Sequence, residues 1–216
     1  MLKIKRGGTK FFMKEKKNEM ENLASEQKRY TYKDYLKIDD GNRYELIHGK
    51  LYLKDEWGDM SMHKNKNKDI KMLAAPSVLH QEIVGEIYIQ LKEKLQGKKC
   101  KPFISPIDVK LDEENVVQPD IVVECNEKNI TKKGIKGVPK IIIEVVSKGS
   151  LKRDRIEKYS LYMEYGVKEY IIINPINKEI IECKLNDFGF YDTKKLEITD
   201  DIELKNCTLS LKKFFE

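Results

Sequence analysis

Residues 140–146 read KIIIEVV, and residues 169–173 read EYIII. Both are short runs rich in Ile and Val, which is typical of strands that are buried on both faces of a sheet. Between them, residues 153–165 form a predicted helix that ends at Gly166. A strand, a helix and a second strand in this order predict a right-handed crossover unit. The unit indicates an α/β layer protein with a mixed sheet.

The N-terminal half adds a hairpin and a second long helix to this core. Thr31 and Asp34 have the spacing of a capping box at the start of a short helix. Residues 43–53 read as a β-hairpin with its turn at His48-Gly49. Ser77 is the predicted N-cap of a helix with an apolar stripe at helical spacing, which ends before Gly97.

Shorter elements complete the predicted fold. Strands are expected near residues 100–104, 107–111 and 121–123. A β-meander is expected over residues 179–198, and a small closing helix over residues 209–215. No internal repeat is evident in the sequence.

Length and charge limit the class of protein. The chain has 216 residues, with 42 Lys or Arg against 36 Asp or Glu and a net charge of +6. This length fits one domain with a substantial core. No apolar run approaches the ~20 residues that a membrane span needs. The surplus positive charge favours a polyanionic partner, although a solvated Lys-rich surface explains the same composition.

Two segments are expected not to belong to the packed core. Residues 1–27 are basic and lack periodicity, so they predict a mobile N-terminal tail. Residues 28–216 then form a single domain. Within it, residues 55–71 are polar and patternless, which indicates either a flexible insertion or a functional flap.

The four cysteines, Cys100, Cys125, Cys183 and Cys207, do not indicate a metal site. They form no C-x-x-C pair, which argues against zinc. Their scattered positions also do not resemble the disulfide framework of a small secreted protein. Because the N-terminus lacks the apolar stretch of a secretory signal, a reducing cytoplasm is the expected compartment.

Glu144 is the only charged residue inside the apolar run IIIEVV. Burying a carboxylate is costly unless a cationic partner, protonation or a metal ion compensates for it. A structural salt bridge is the simplest of these explanations. Asp120 favours a metal, because it precedes another apolar strand, IVV. Two carboxylates on neighbouring strands can share Mg²⁺, which usually takes only one or two protein carboxylates.

Lys158 is the candidate for a third group at such a site. It lies in the helix that directly follows the Glu144 strand. Asp154 lies one helical turn earlier, so an ordinary surface ion pair is the alternative interpretation. A lysine near two carboxylates stays protonated. Electrostatic stabilisation of the transition state is therefore a better role for it than general-base catalysis.

Five segments occur in an order that resembles one known family. They are YELIHGKLY (44–52), APSVLHQEIVGEIY (75–88), PIDVKLDEENVVQPDIVV (106–123), GVPKIIIEVVS (137–147) and RDRIEKYSLYMEYGVKEYIIINP (153–175). Together they resemble the bacterial Uma-type endonuclease family, which looks like a branch of the PD-(D/E)XK, or restriction endonuclease-like, superfamily. The combination of VVQPD, IIEVVS and RDRIEKY is the specific part of the resemblance.

The resemblance implies a fold and a set of site residues. The fold is α/β, a restriction endonuclease-like mixed β-sheet core flanked by helices, with an N-terminal β-hairpin and a C-terminal β-meander. Asp120 matches the central acid of the superfamily motif, and Glu144 matches the acid of its second half. The usual Lys, two positions after that acid, is Val146 here, so Lys158 of the next helix takes its place. The backbone carbonyl of Val145 is a further candidate metal ligand.

Three more positions relate to the family pattern. Glu45 matches an N-terminal acid that is common in the family and is a candidate to complete the metal shell. His80 also matches a frequent family position, although a capping or packing histidine near a helix N-terminus is the favoured interpretation. Lys50 departs from the pattern, because family members often carry an acid there. A cation at this position argues against a second metal ion.

The implied activity is Mg²⁺-dependent hydrolysis of DNA phosphodiester bonds, with Mn²⁺ as a substitute metal. DNA is expected to bind through phosphate contacts, for which Arg153 and Arg155 are candidates near the site. A homodimer would suit the cutting of both strands. Two alternatives remain open. One is a catalytically inactive nucleic acid-binding or scaffolding protein with the same fold, and the other is a metal-dependent hydrolase of RNA or another phosphate ester.

Overall fold

The structure is a computed structural model that describes residues 28–54, 76–147 and 150–215. The predicted tail over residues 1–27 and the predicted insertion over residues 55–71 lie outside the described residues. Their assignments, and with them the proposed domain boundaries, therefore stay predictions.

The described chain contains fourteen strands and three α-helical segments. In chain order, they are α1 (Tyr32–Tyr35), β1 (Tyr44–Ile47), β2 (Lys50–Leu53), α2 (Val78–Lys94), β3 (Lys101–Ile104), β4 (Val109–Lys110), β5 (Val116–Val117), β6 (Ile121–Glu124), β7 (Ile130–Thr131), β8 (Gly134–Lys136), β9 (Ile141–Val145), α3 (Tyr159–Tyr165), β10 (Glu169–Asn174), β11 (Glu179–Leu185), β12 (Tyr191–Leu196), β13 (Asp201–Leu204) and β14 (Cys207–Ser210). A π-helical stretch, Arg153–Lys158, leads directly into α3.

Two six-stranded sheets form the body of the protein. The central sheet has the strand order β12-β11-β10-β9-β6-β3, and the second sheet has the order β2-β1-β5-β4-β8-β7. Both are mixed, because β9 pairs in parallel with β10 and β4 pairs in parallel with β8, while the other pairs are antiparallel. Strands β13 and β14 form a separate hairpin. The α/β class with a mixed sheet is thus confirmed.

The crossover unit that defines the fold is also confirmed. Every residue of β9 and of β10 is buried. On one face of β9, Ile141 and Ile143 join the apolar cluster that contains α2, while Ile142 on the other face packs with Tyr162 of α3. Glu144 has the same parity as Ile142, so its side chain belongs to the face that the crossover helix covers.

The two predicted N-caps are present. The Thr31 and Asp34 side chains bond reciprocally to each other's backbone N–H groups, which forms the capping box of α1. The Ser77 hydroxyl accepts a hydrogen bond from His80 N at 3.2 Å at the start of α2. The second cap fixes where α2 begins, and so it fixes which residues of its first turn point towards the central sheet.

Some predicted elements differ from the observed ones. The closing helix over residues 209–215 is wrong, because β14 extends to Ser210 and only a 3₁₀ turn, Lys212–Phe214, follows. Strands β5, β7, β8, β13 and β14 are absent from the prediction. The first three have only two or three residues, too few to display the alternation that identifies a strand.

Cys100 and Cys125 form a disulfide bond in the structure. They flank the paired ends of β3 and β6, where Lys101 lies opposite Glu124. The cysteines are 25 residues apart in sequence, so only the strand pairing brings them together. Cys183 and Cys207 are free thiols.

Two isoleucines of α2 test the assignment of its buried face. Ile87 is 0% exposed and Ile89 is 52% exposed. Replacing Ile87 by Ala should lower the free energy of unfolding by about 2–5 kcal/mol, because it leaves a cavity in the core. Replacing Ile89 by Ala should change it by less than about 0.5 kcal/mol. Urea denaturation of both variants measures the difference, and equal losses would contradict the assigned face.

Candidate active site

The pairing of β6 with β9 brings the two acids together. Ile121 lies opposite Ile143 in this antiparallel pair, so the preceding Asp120 comes opposite Glu144. The backbone N of Asp120 lies 3.3 Å from Glu144 Oε2. In return, the backbone N of Val145 donates to Asp120 Oδ2 at 2.9 Å. The two carboxylates are therefore neighbours on one face of the sheet, at the carboxyl end of β9.

Lys158 contacts Glu144, one member of this pair. Its Nζ is 2.9 Å from Glu144 Oε1, 2.9 Å from Glu45 Oε1 and 3.2 Å from Asp154 Oδ1. The alternative interpretation, a surface ion pair with Asp154, is wrong, because Lys158 is only 3% exposed. The ammonium group is thus buried and is shared by three carboxylates.

Charge and burial shift the pKa values of these groups in opposite directions. Burial raises the pKa of Glu144 to about 8, although Lys158 opposes the rise, and the nearby Asp154 and Asp120 add to it. Burial also tends to raise the pKa of Asp120, but Lys54 and His80 outweigh this effect and hold it at about 2. Burial lowers the pKa of Lys158, but its acidic partners more than reverse this and raise it well above the usual value. Lys158 is therefore an ammonium ion at neutral pH.

Glu45 helps to position the lysine. Its Oε1 accepts a hydrogen bond from the backbone N of Gln118 at 2.8 Å as well as contacting Lys158. Its Oε2 lies 3.7 Å from Arg153 Nη1. Burial raises the pKa of Glu45. The positive charges of Lys158, Lys54 and Arg153 lower it by more, so the net shift is downward. These contacts favour a positioning role for Glu45, and its predicted place in a metal shell stays a prediction.

The acids line a cavity of about 590 Å³ that lies between the N-terminus of α2, the amino end of β6 and the carboxyl end of β9. Many of the residues that line it are charged or polar. Its lining includes Arg43, Glu45, Lys54, His80, Asp120, Glu144, Ser147, Ser150, Arg153, Asp154 and Lys158. The cavity is a cleft with apolar walls in which acids and cations lie side by side.

The side chain of His80 reaches into this cavity. Its Nε2 lies 3.2 Å from Asp120 Oδ2, while its backbone N–H is the group that Ser77 caps. Packing or capping alone was the favoured interpretation of this histidine. The observed contact instead places its imidazole beside one of the two central acids.

The two arginines proposed for DNA binding have different surroundings. Arg153 is 8% exposed, donates to the carbonyl of Leu53 at 3.3 Å and stacks over the ring of Tyr52. It lines the cavity from within rather than presenting itself at the surface. Arg155 pairs with Glu179 outside the cavity lining. The nucleic acid-binding role of both stays a prediction.

Sequence reasoning missed Lys54 and Tyr162. Lys54 Nζ lies 3.8 Å from Asp120 Oδ1, and the Tyr162 hydroxyl lies 3.3 Å from Glu144 Oε1. A signal for Tyr162 was available, because residues 154, 158 and 162 follow one another at i, i+4 spacing on one helix face. No comparable signal existed for Lys54, since only the packing of the two sheets brings it to the cavity.

The donor set at the two acids suits a divalent cation. Among residues 28–54, 76–147 and 150–215, no three His, Cys, Asp or Glu side chains form a ready metal cluster. Asp120 and Glu144 nevertheless supply two hard carboxylate ligands from paired positions of neighbouring strands, and one or two carboxylates are all that Mg²⁺ usually takes from a protein. Glu144 also shares its one ammonium partner with two other acids, so added positive charge is accommodated. The residues fit a Mg²⁺ ion.

Comparison with known proteins also indicates a nuclease-like protein. Residues 67–211, more than half of the chain, match the model of the Uma2 family, described as "Putative restriction endonuclease". The chain belongs to the Uma2 family. The match includes Asp120, Glu144 and Lys158, whereas Glu45 and Lys54 precede it.

Two relatives extend this result. An uncharacterized protein of Synechocystis, slr1290, is 24% identical over 161 residues, which cover 74% of this chain and 85% of the relative. A crystal structure from Anabaena variabilis, described as a "putative nuclease", superposes with a TM-score of 0.64 at 16% identity and covers 86% of this chain and 97% of that one. At this identity the superposition shows the fold alone. The family description supports a nuclease-like activity for this Uma2 protein.

No helix in the described part of this Uma2 protein combines the length and the apolar composition needed to cross a membrane. This agrees with the absence of long apolar runs in the sequence. The predicted cytoplasmic compartment stays a prediction.

The buried ion cluster around Lys158 should contribute strongly to the stability of the folded protein. Replacing Lys158 by Met should lower the free energy of unfolding by about 3–5 kcal/mol, because it leaves buried carboxylates without their cation. Lys101 pairs with Glu127 at 2.7 Å, and both side chains are exposed, at 52% and 72%. Replacing Lys101 by Met should cost about 1 kcal/mol or less. Urea denaturation at neutral pH compares the two variants, and a cost below about 1 kcal/mol for Lys158→Met would refute the cluster.

Proposed function

We propose that this protein is a Mg²⁺-dependent endonuclease that hydrolyses DNA phosphodiester bonds. The observation that carries the proposal is that Glu144 contacts both its partners: its Oε2 lies 3.3 Å from the backbone N of Asp120, and its Oε1 lies 2.9 Å from the buried ammonium of Lys158. These acids and this ammonium line one cavity. Membership of the Uma2 family supports the nuclease class, while the metal and the choice of DNA belong to the proposal.

Asp120 and Glu144 would hold the cation, with the backbone carbonyl of Val145 as a further ligand. A bound Mg²⁺ would supply Lewis acidity to the phosphate and lower the pKa of a water molecule. Asp120 is suited to this task because it stays ionised, with its pKa at about 2. The hydrogen bond from Val145 N fixes the orientation of its carboxylate at 2.9 Å.

Lys158 would stabilise the negative charge that grows on the phosphate in the transition state. Its pKa is raised well above the usual value, so it keeps its proton and is unsuited to act as a general base. Contacts with Glu45 and Asp154 hold the ammonium in a fixed direction. An oriented charge of this kind needs no reorganisation during the reaction, which is the source of its catalytic benefit.

DNA would enter the cavity with its phosphates facing positive charge. Arg153 lines the inner wall, and Arg155 lies further out beside Glu179. The net charge of +6 favours a polyanion in general. A homodimer would allow both strands to be cut, and cleavage of supercoiled DNA to a linear product would support it.

The two acids can be tested with substitutions that keep their shape. Asp120→Asn and Glu144→Gln should each lower the rate at which supercoiled plasmid is nicked in Mg²⁺ by at least about a hundredfold, the loss typical of one stabilising group. The measurement is the conversion of supercoiled to open-circular DNA on agarose gels. Addition of EDTA to the wild-type protein should stop nicking.

Glu169→Gln is the matched control. Glu169 is also a buried acid of the central sheet. It is the first residue of β10, at the end of the strand away from the cavity, and it accepts a hydrogen bond from Lys205 N at 3.2 Å. This variant should nick at the wild-type rate. Equal nicking by all variants would reveal a contaminating nuclease and defeat the proposal. Retention of DNA without metal and without cleavage would favour the binding or scaffolding protein instead.

Metal binding can be measured without DNA. Because a ligand that binds only the folded state stabilises it, Mn²⁺ at about 100 times its Kd should add about 2.7 kcal/mol of stability to the wild type. Tm should therefore rise with Mn²⁺ concentration. Asp120→Asn should show a much smaller rise and Glu169→Gln a normal one, both followed by differential scanning fluorimetry. An unchanged wild-type Tm at millimolar Mn²⁺ would count against the metal site.

A further inference from the structure

Lys54 is a cation at the cavity that the proposed reaction does not use. It directly follows β2, and its side chain is 12% exposed. Its Nζ lies 3.8 Å from Asp120 Oδ1 and donates a hydrogen bond to the backbone carbonyl of Gln118. The second sheet therefore places the ammonium group of Lys54 beside Asp120, the acid that would bind the metal.

The two oxygens of Asp120 differ in their surroundings. Oδ2 accepts from Val145 N at 2.9 Å and lies 3.2 Å from His80 Nε2. At Oδ1, the ammonium of Lys54 stands at 3.8 Å, which is beyond hydrogen-bond distance. An ionised carboxylate oxygen can accept more than one partner. Oδ1 is thus the oxygen with room for a metal ion, and it faces a positive charge.

We propose that Lys54 is the resident counter-ion of Asp120 in the metal-free protein and competes with the divalent cation for Oδ1. The inference rests on the proposed metal site at Asp120 and Glu144. In the metal-free state, Lys54 stabilises the fold by compensating the buried carboxylate. When a metal binds, the ammonium must move away from Oδ1, so it lowers the affinity of the site.

The mobility that this exchange requires is available. A lysine carries its charge on a flexible four-carbon stem with three donors that can be redirected. The cavity that Lys54 lines has a volume of about 590 Å³, so its ammonium can retreat from Asp120 without leaving the cleft. Repulsion between a fixed ammonium and a divalent ion a few ångströms away is strong in a partly buried site.

The experiment measures Mn²⁺ binding by isothermal titration calorimetry in the full chain, without DNA. Lys54→Met should bind Mn²⁺ at least about tenfold more tightly than the wild type, because it removes the competing charge. Lys54→Arg keeps the charge and should stay close to the wild type. Lys50→Met is the matched control, since Lys50 lies on the same strand, β2, but its exposed side chain is not part of the cavity lining. Its Mn²⁺ affinity should be unchanged.

A second measurement separates competition from packing. Without metal, Lys54→Met should melt at a lower temperature than the wild type, because Asp120 loses its counter-ion. Saturating Mn²⁺ should then raise its Tm by more than it raises that of the wild type. If Lys54→Met does not fold, Lys54→Gln keeps a hydrogen-bond donor for the Gln118 carbonyl and provides the same comparison.

The outcomes distinguish this inference from the proposed function. Mn²⁺ binding by the wild type with equal or weaker affinity in the neutral Lys54 variant overturns the role of Lys54 alone. Folded wild type and folded variant that both fail to bind Mn²⁺ overturn the metal site, and the proposed function with it. Tighter binding by the neutral variant, with Lys54→Arg and Lys50→Met unchanged, supports the competition.

Discussion

The ammonium of Lys158, enclosed by carboxylates, is the interaction on which the arrangement of the site depends. Its partners come from three places: Glu45 from the second sheet, Glu144 from the central sheet, and Asp154 from its own helix. Removing charges from water is expensive, and the cost is met only when the partners are close and well oriented. The burial of Lys158 is therefore favourable only when both sheets and the crossover helix bring these carboxylates close to it.

The same cluster explains why two acids in contact behave differently. Glu144 lies deep in the cluster, and its burial together with neighbouring acids raises its pKa to about 8. Asp120 lies at the cavity wall beside Lys54 and His80, and its pKa falls to about 2. Environments that separate the pKa values of neighbouring carboxylates are a feature of catalytic sites. Here the separation arises from depth within the cluster and from the distribution of cations around it.

The family match and the structure divide the site between two parts of the chain. Asp120, Glu144 and Lys158 lie within the matched residues 67–211, on β6, β9 and the crossover helix. Glu45 and Lys54 lie before them, on the hairpin of the second sheet. The hairpin therefore adds an acid that orients Lys158 and a lysine that faces Asp120. The matched region supplies the three groups of the proposed site, and the hairpin sets their charge environment.

The sequence by itself determined the crossover unit, the two capped helices, the hairpin and the identity of Asp120, Glu144 and Lys158 as a set. These follow from local chemistry, because an apolar run, an N-cap and a buried charge each carry their signal within a few residues. Only the tertiary structure decided that Lys158 serves three acids, that His80 contacts Asp120, that Lys54 reaches the cavity and that Cys100 meets Cys125. Those contacts depend on strand register and on how the two sheets pack, and neither is encoded in a local pattern.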